Sequence, residues 1–174
     1  MSTLQELEQV ARRVRTKIIT MLEIAGSGHP GGSLSVTDIL VALYDLILVD
    51  PQKPDWEHRD RVVLSIGHAA PALYAILQNK GFFDEKELYK LRRIGAKLQG
   101  HPDMRLTPGI DASTGSLGQG ISMAIGMALA AKVQKLTYRV FAIVGDGELQ
   151  EGIVWEALTA GKHYKLDNLV VIVD

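Results

Sequence analysis

A few residues combine the chemistry for proton transfer or metal binding with a backbone context that sets them apart. His29, His68 and His101 each follow a glycine, in Gly28-His29-Pro30, Gly67-His68-Ala69 and Gly100-His101-Pro102. Imidazole donates or accepts a proton near neutral pH, so each is a candidate for acid–base work. Asp146 lies between Gly145 and Gly147 at the end of an apolar run, in "FAIVGDGELQEG", and Glu151 follows in the same segment. Cysteine is absent, which excludes disulfides and thiolate ligands and leaves the chemistry to histidines and carboxylates. His58 and His163 lack such a context and are predicted to be structural or exposed. Glu148 and Glu156 are assigned to a helix surface.

Asp146 poses the sharpest question. A glycine-rich turn between a strand and a helix presents backbone N–H groups and the positive helix end to an anion such as a pyrophosphate. A carboxylate there repels that anion. A divalent cation removes the conflict, because a hard metal takes carboxylate oxygen on one side and phosphate oxygen on the other. The flanking glycines then let the backbone approach the phosphate. The competing reading is that Asp146 only caps the helix. Neither glycine cluster makes a dinucleotide fingerprint. "GSGHPG" follows a helix and contains Pro30, while "GDGELQEG" has Gln150 where the third glycine belongs.

The elements that must hold these residues follow from the apolar spacing. Thr3-x-x-Glu6 is a capping box before Leu4, Leu7, Ala11, Val14, Ile18, Met21, Leu22 and Ala25, predicting an amphipathic helix to about Gly26. Ser35-x-x-Asp38 resembles a second box, and "ILVALYDLILV" after it predicts a buried helix. "RVVLSIG" reads as a buried strand ending on Gly67, and "APALYAILQNKG" and "DEKELYKLRRIG" read as helices. The stretch from Ala96 to Gly115 is a long loop of the kind that carries function. In "LGQGISMAIGMALAAKV", the small residues Gly120, Ala124, Gly126 and Ala128 allow either close backbone approach or tight core packing. "RVFAIVG", "ELQEGIVWEALTAGKHY" and "NLVVIVD" form a βαβ unit, which implies a parallel sheet flanked by helices, hence an α/β fold.

With 174 residues the chain has the size of one domain. Its 19 basic and 20 acidic side chains advertise neither a nucleic-acid nor a membrane partner. The first residues lack an apolar signal core, and Glu6, Glu8 and Glu23 argue against a transit peptide, so a cytoplasmic location is expected.

The motifs together resemble the N-terminal part of the transketolase family. The matching segments are "SGHPGGSLS", "DRVVLSIGHAAPALY", "LQGHPD", "STGSLGQGISMAIGMALA" and "GDGELQEGIVWEA", in family order and over nearly the whole chain. The resemblance implies a thiamine-diphosphate-binding fold of the diphosphate-binding (PP) type, with thiamine diphosphate and Mg²⁺ or Ca²⁺ as cofactors. It makes Asp146 a metal ligand and sets the Gly147 backbone, in the Gly145-Asp146-Gly147 turn, against the diphosphate. His68 would meet the diphosphate, while His29 and His101 face the hydroxyl and carbonyl groups of a sugar donor. Gly115, Ser116 and Leu117 correspond to the segment near the aminopyrimidine, although Ser116 stands where many transketolases have proline. Glu151 resembles a glutamate near the dimer interface that links two active sites through protons.

The implied reaction moves a two-carbon ketol unit from a ketose phosphate to an aldose phosphate. The implied partners are a pyrimidine-binding subunit or domain, which supplies the glutamate that activates the cofactor, and a second copy in a homodimer. In the family an asparagine following the position of Asp174 completes the metal site, so the domain is expected to be C-terminally incomplete and inactive alone. Both a fragment and a split subunit fit, and exposed apolar surface is expected where further strands would pack. Dihydroxyacetone synthase, deoxyxylulose-phosphate synthase and a noncatalytic assembly module are the alternatives.

Overall fold

The computed structural model describes residues 1–174. Helix α1 (Leu4–Ala25) opens with the predicted capping box. The Thr3 hydroxyl accepts the Glu6 N–H at 3.3 Å, and the Glu6 carboxylate accepts the Thr3 N–H at 2.7 Å. Its buried face is Ala11, Val14, Ile18 and Met21, and Gly26 ends it in the left-handed region at φ 65°.

Two short helices follow, α2 (Pro30–Ser35) and α3 (Thr37–Leu46). The second predicted capping box does not form. Ser35 is the last residue of α2, Val36 precedes α3 without a side-chain bond, and both Asp38 oxygens instead accept from the Arg15 guanidinium at 2.9 and 2.8 Å. A two-point charged donor outcompetes a neutral cap. The apolar run also outlasts its helix: α3 buries Leu40, Val41, Leu43 and Tyr44 but ends at Leu46, leaving Leu46 and Leu48 exposed.

Strands β1 (Arg61–Leu64), β2 (Val140–Val144) and β3 (Leu169–Val173) form a parallel sheet in the order β1-β2-β3. Arg61 is in register with Val140, and Val140 with Leu169. Successive side chains point to opposite faces. Val62, Leu64, Phe141 and Ile143 join α1, α3 and α4 (Ala70–Lys80) in one core. Val63, Val140, Ala142 and Val144 join α5 (Gln119–Gln134) and α6 (Gly152–His163) in the other. Helices thus cover both faces, as a parallel sheet requires. At the β3 edge Val170 and Val173 remain exposed.

Three predicted elements are shorter or tighter than expected. β1 stops at Leu64, and Gly67–Ala69 form a 3₁₀ turn that leads into α4. The segment after Asp84 is a 3₁₀ helix, Glu85–Lys90, in place of an α-helix; its buried Leu88 lies three residues before buried Leu91, the period a 3₁₀ turn presents on one side. The helix predicted from Glu148 is broken at Glu151 into a 3₁₀ turn, Gly147–Gln150, and α6.

The small residues of α5 serve packing within the chain. A Cβ on Gly120 would lie 2.6 Å from Ser65 Cα, and Ala124 and Ala128 are buried, whereas Gly126 faces open space. The 96–115 loop is tied to β1 at both ends of the strand. Asp111 accepts the Val62 N–H at 2.8 Å, and the Thr114 hydroxyl donates to the Leu64 carbonyl at 2.7 Å.

Candidate functional site at the carboxyl edge of the sheet

Parallel strands place the loops that leave their carboxyl ends side by side, and in open α/β sheets this is where ligands bind. Here the loop after β1 carries His68 and the turn after β2 carries Gly145, Asp146 and Gly147. His29 stands at the start of α2, where its carbonyl accepts the Ser33 hydroxyl at 2.9 Å. The His29 and His68 rings are 5.4 Å apart, edge to face. His101 is set by the 96–115 loop, which is anchored where the buried Tyr74 hydroxyl donates to the carbonyls of Gln99 and His101 at 3.0 and 2.9 Å. Partial burial, then the neighbouring Arg92 guanidinium and the other two histidines, hold the His101 pKa below its ordinary value. Its imidazole is therefore neutral at neutral pH.

Glycine is required where these loops meet. A Cβ on Gly67 would lie 2.7 Å from the Gly115 nitrogen, and one on Gly115 would lie 3.1 Å from the His101 ring. Gly115 is thus brought to the histidines, while Ser116 and Leu117 are exposed beside it.

A cavity of about 390 Å³ is lined by Gly32, Ser35, Ile66, His68, Gly145, Asp146, Gly147 and Asp174. Asp146 is exposed and one of its oxygens accepts the Gly147 N–H at 2.7 Å, so it does cap the following turn. Its other oxygen is free for a hard cation. No Cβ would be obstructed at Gly147, which leaves its backbone open to a ligand. The polar lining, the exposed Asp146 carboxylate and the His68 imidazole fit a metal-bound diphosphate in size and donor type. No group of three or more metal-binding side chains converges anywhere in the chain; the carboxylates lining this cavity are those of Asp146 and Asp174. Glu151 is exposed at the start of α6 without a cap bond. Glu156, His58 and His163 are exposed as expected.

Glu148 is not a surface residue. It is 1% exposed, and its carboxylate accepts the Ser65 hydroxyl at 2.6 Å and the backbone N–H groups of Gly118 and Gly145 at 2.5 and 3.2 Å. Helical periodicity put it outside because it assumed one continuous helix; the 3₁₀ turn rotates it inward. The cue available in the sequence is its place three residues after Gly145, a spacing that lets a side chain reach back to the N–H that opens the turn.

A parallel α/β sheet with this acidic turn and these histidine loops on its carboxyl edge defines a thiamine-diphosphate-binding domain. The chain belongs to the transketolase family: residues 7–174 match its "Transketolase, thiamine diphosphate binding domain". It is 46% identical over 97% of its length to the 6-deoxy-6-sulfo-D-fructose transketolase subunit SqwG of Clostridium sp. (strain MSTE9), of which it covers 62%. It is 44% identical over 98% of its length to an apulose-4-phosphate transketolase subunit of Phocaeicola vulgatus, covering 60% of that protein. Human transketolase is 47% identical over 98% of the chain, which spans 28% of the human protein. The crystal structure of transketolase from Campylobacter jejuni superposes with a TM-score of 0.94 at 37% identity, covering 99% of this chain and 28% of that one. The chain therefore spans less than two thirds of the relatives it matches.

Proposed function

We propose that this domain is the diphosphate-binding half of a transketolase that moves a two-carbon ketol unit from a ketose phosphate to an aldose phosphate. The observation that carries the reading is the convergence of His29, His68, His101 and the Asp146 turn on one edge of the sheet. Thiamine diphosphate, when bound, supplies a nucleophilic thiazolium carbon. Asp146 would give one oxygen to Mg²⁺ or Ca²⁺, and the open backbone at Gly147 would receive the diphosphate. His68, in the same cavity lining, would donate to the diphosphate. Gly115, Ser116 and Leu117 would hold the aminopyrimidine.

His29 and His101 hold and move protons at the hydroxyl and carbonyl oxygens of the sugar. A neutral His101 accepts a proton at neutral pH and returns it in the reverse sense. Glu151 lies at the boundary with a second copy of the domain and relays protons there. A pyrimidine-binding subunit or domain supplies the remaining cofactor contacts. The Clostridium and Phocaeicola relatives are themselves named as subunits, which supports a division of this kind. No helix is long and apolar enough to cross a membrane, and the proposed location is the cytoplasm.

The test is calorimetric titration with thiamine diphosphate and Mg²⁺, followed by a ketol-transfer assay with and without the pyrimidine-binding partner. Weak binding and no turnover by the chain alone, with turnover restored by the partner, is the expected result. Failure of the assembled protein to bind thiamine diphosphate overturns the reading.

A further inference from the structure

The cofactor reading assigns the diphosphate to the turn after β2 and the aminopyrimidine to the segment before α5, which are different loops. Nothing in the covalent chain fixes one against the other, since residues 118 and 145 are separated by all of α5 and β2. We propose that Glu148 is the positioning residue that locks these two loops together, so that both halves of the cofactor pocket are held in one register.

The geometry assigns this role through three bonds to three segments. One carboxylate oxygen accepts the Ser65 hydroxyl at the end of β1 and the Gly118 N–H at the start of α5, at 2.6 and 2.5 Å. The other accepts the Gly145 N–H, the first residue of the acidic turn, at 3.2 Å. Glu148 forms no ion pair although it is almost fully buried, so the Ser65 hydroxyl and the Gly118 and Gly145 N–H groups are what satisfy its carboxyl oxygens. The surroundings leave no slack. Gly118 has φ 81°, and a Cβ there would collide with the Ile153 side chain; one on Gly120 would collide with Ser65, and one on Gly145 would come within 2.5 Å of Ile66. The glycines permit the approach, and the carboxylate fastens it. Glu148 faces inward from a 3₁₀ turn, Gly147–Gln150, that is separated from α6 at Glu151 and capped by Asp146, and Asp146 and Gly147 line the cavity.

The inference rests on the cofactor reading above, and its test separates the two. Glu148→Gln keeps the shape but replaces one acceptor oxygen with an NH₂ group, which sets donor against donor. In the full-length protein without cofactor, amide hydrogen exchange at Gly118 and Gly145 is expected to accelerate about tenfold or more, the effect of disrupting a buried hydrogen bond. Exchange in the β1–β2 ladder at Val63 and Ala142 stays within about twofold, inside the scatter of such bonds. Thiamine diphosphate affinity falls by about tenfold on the same grounds. Unchanged exchange at both glycines in a folded variant overturns the inference, whether or not the wild-type protein binds thiamine diphosphate. Faster exchange with unchanged affinity overturns it as well, because the bonds would then hold loops that do not shape the pocket. If wild-type protein does not bind the cofactor, the cofactor reading falls and exchange alone decides the clamp. Should Glu148→Gln fail to fold, Ser65→Ala removes one donor and leaves the carboxylate. A loss of affinity of about threefold with faster exchange at Gly118 is then expected, and wild-type values for both overturn the inference.

Discussion

At the amino ends of the strands Arg59 meets Asp111 at 2.7 Å with both side chains under 10% exposed, and Arg139 meets Asp60 at 2.7 Å across the β1–β2 boundary. At the carboxyl ends, His29, His68, His101 and Asp146 form no ion pair, and Glu148 is held by a hydroxyl and two backbone N–H groups. The same sheet thus pairs its charged side chains at one end and leaves three histidines and Asp146 without ion-pair partners at the other. Buried pairs resist loss of either partner because the survivor is stranded without water. Groups left without a partner keep their capacity to bind a ligand or move a proton, which is why perturbed and unpaired titratable groups cluster where function lies. The 96–115 loop joins both ends: Asp111 anchors it in the paired network, and His101 extends it to the open edge.

The contrast makes mutations at the two ends separable. Asp111→Ala has the largest expected effect, lowering unfolding free energy by about 3–5 kcal/mol because buried Arg59 loses its counter-charge. Urea denaturation measures it; a loss under about 1 kcal/mol would show that the amino-end network is ornamental to stability. Asp146→Ala should do the opposite. It lowers the unfolding free energy by about 1 kcal/mol at most, the cost of its cap on the 3₁₀ turn, while weakening metal-dependent thiamine diphosphate binding by about tenfold or more, since even residues behind a metal ligand carry that much. Affinity equal to wild type would return Asp146 to a purely capping role.

Thr3→Ala, remote from both ends, is expected to cost about 1 kcal/mol through loss of the α1 cap and to leave ligand binding unchanged. The smallest effect is on proton affinity. Burial and then Arg92 depress the His101 pKa, so Arg92→Ala should move the His101 NMR titration midpoint upward toward 6.5. A midpoint that does not move would remove Arg92 from the electrostatics of this edge. The sign for stability follows. The unfolded chain takes up the His101 proton first as pH falls below about 6.5, so stability declines from there to the lower folded value and the loss persists at lower pH.

The amino-acid sequence determined the class of fold and marked the loops that meet at the carboxyl edge of the sheet. Unbroken apolar runs in β1, β2 and β3 with intervening helices dictate a parallel sheet, because only strands buried on both faces dispense with alternation. The capping box of α1 was legible because it is a local bond between residues three apart. Glycine before each of three histidines and on both sides of Asp146 marked the loops, since close approach needs residues without side chains. Sequence periodicity could not find what depended on distant partners. Asp38 left its predicted cap for Arg15, twenty-three residues away in sequence. Asp111 and Arg59 were unremarkable until the fold buried them together. Glu148, placed on a helix surface by periodicity, became the most enclosed carboxylate of the site because Ser65, Gly118 and Gly145 converge only when α5 packs against the ends of β1 and β2. Local bonds and apolar rhythm are written in neighbouring residues; the satisfaction of a buried charge is decided by which remote donors the packed chain brings within reach.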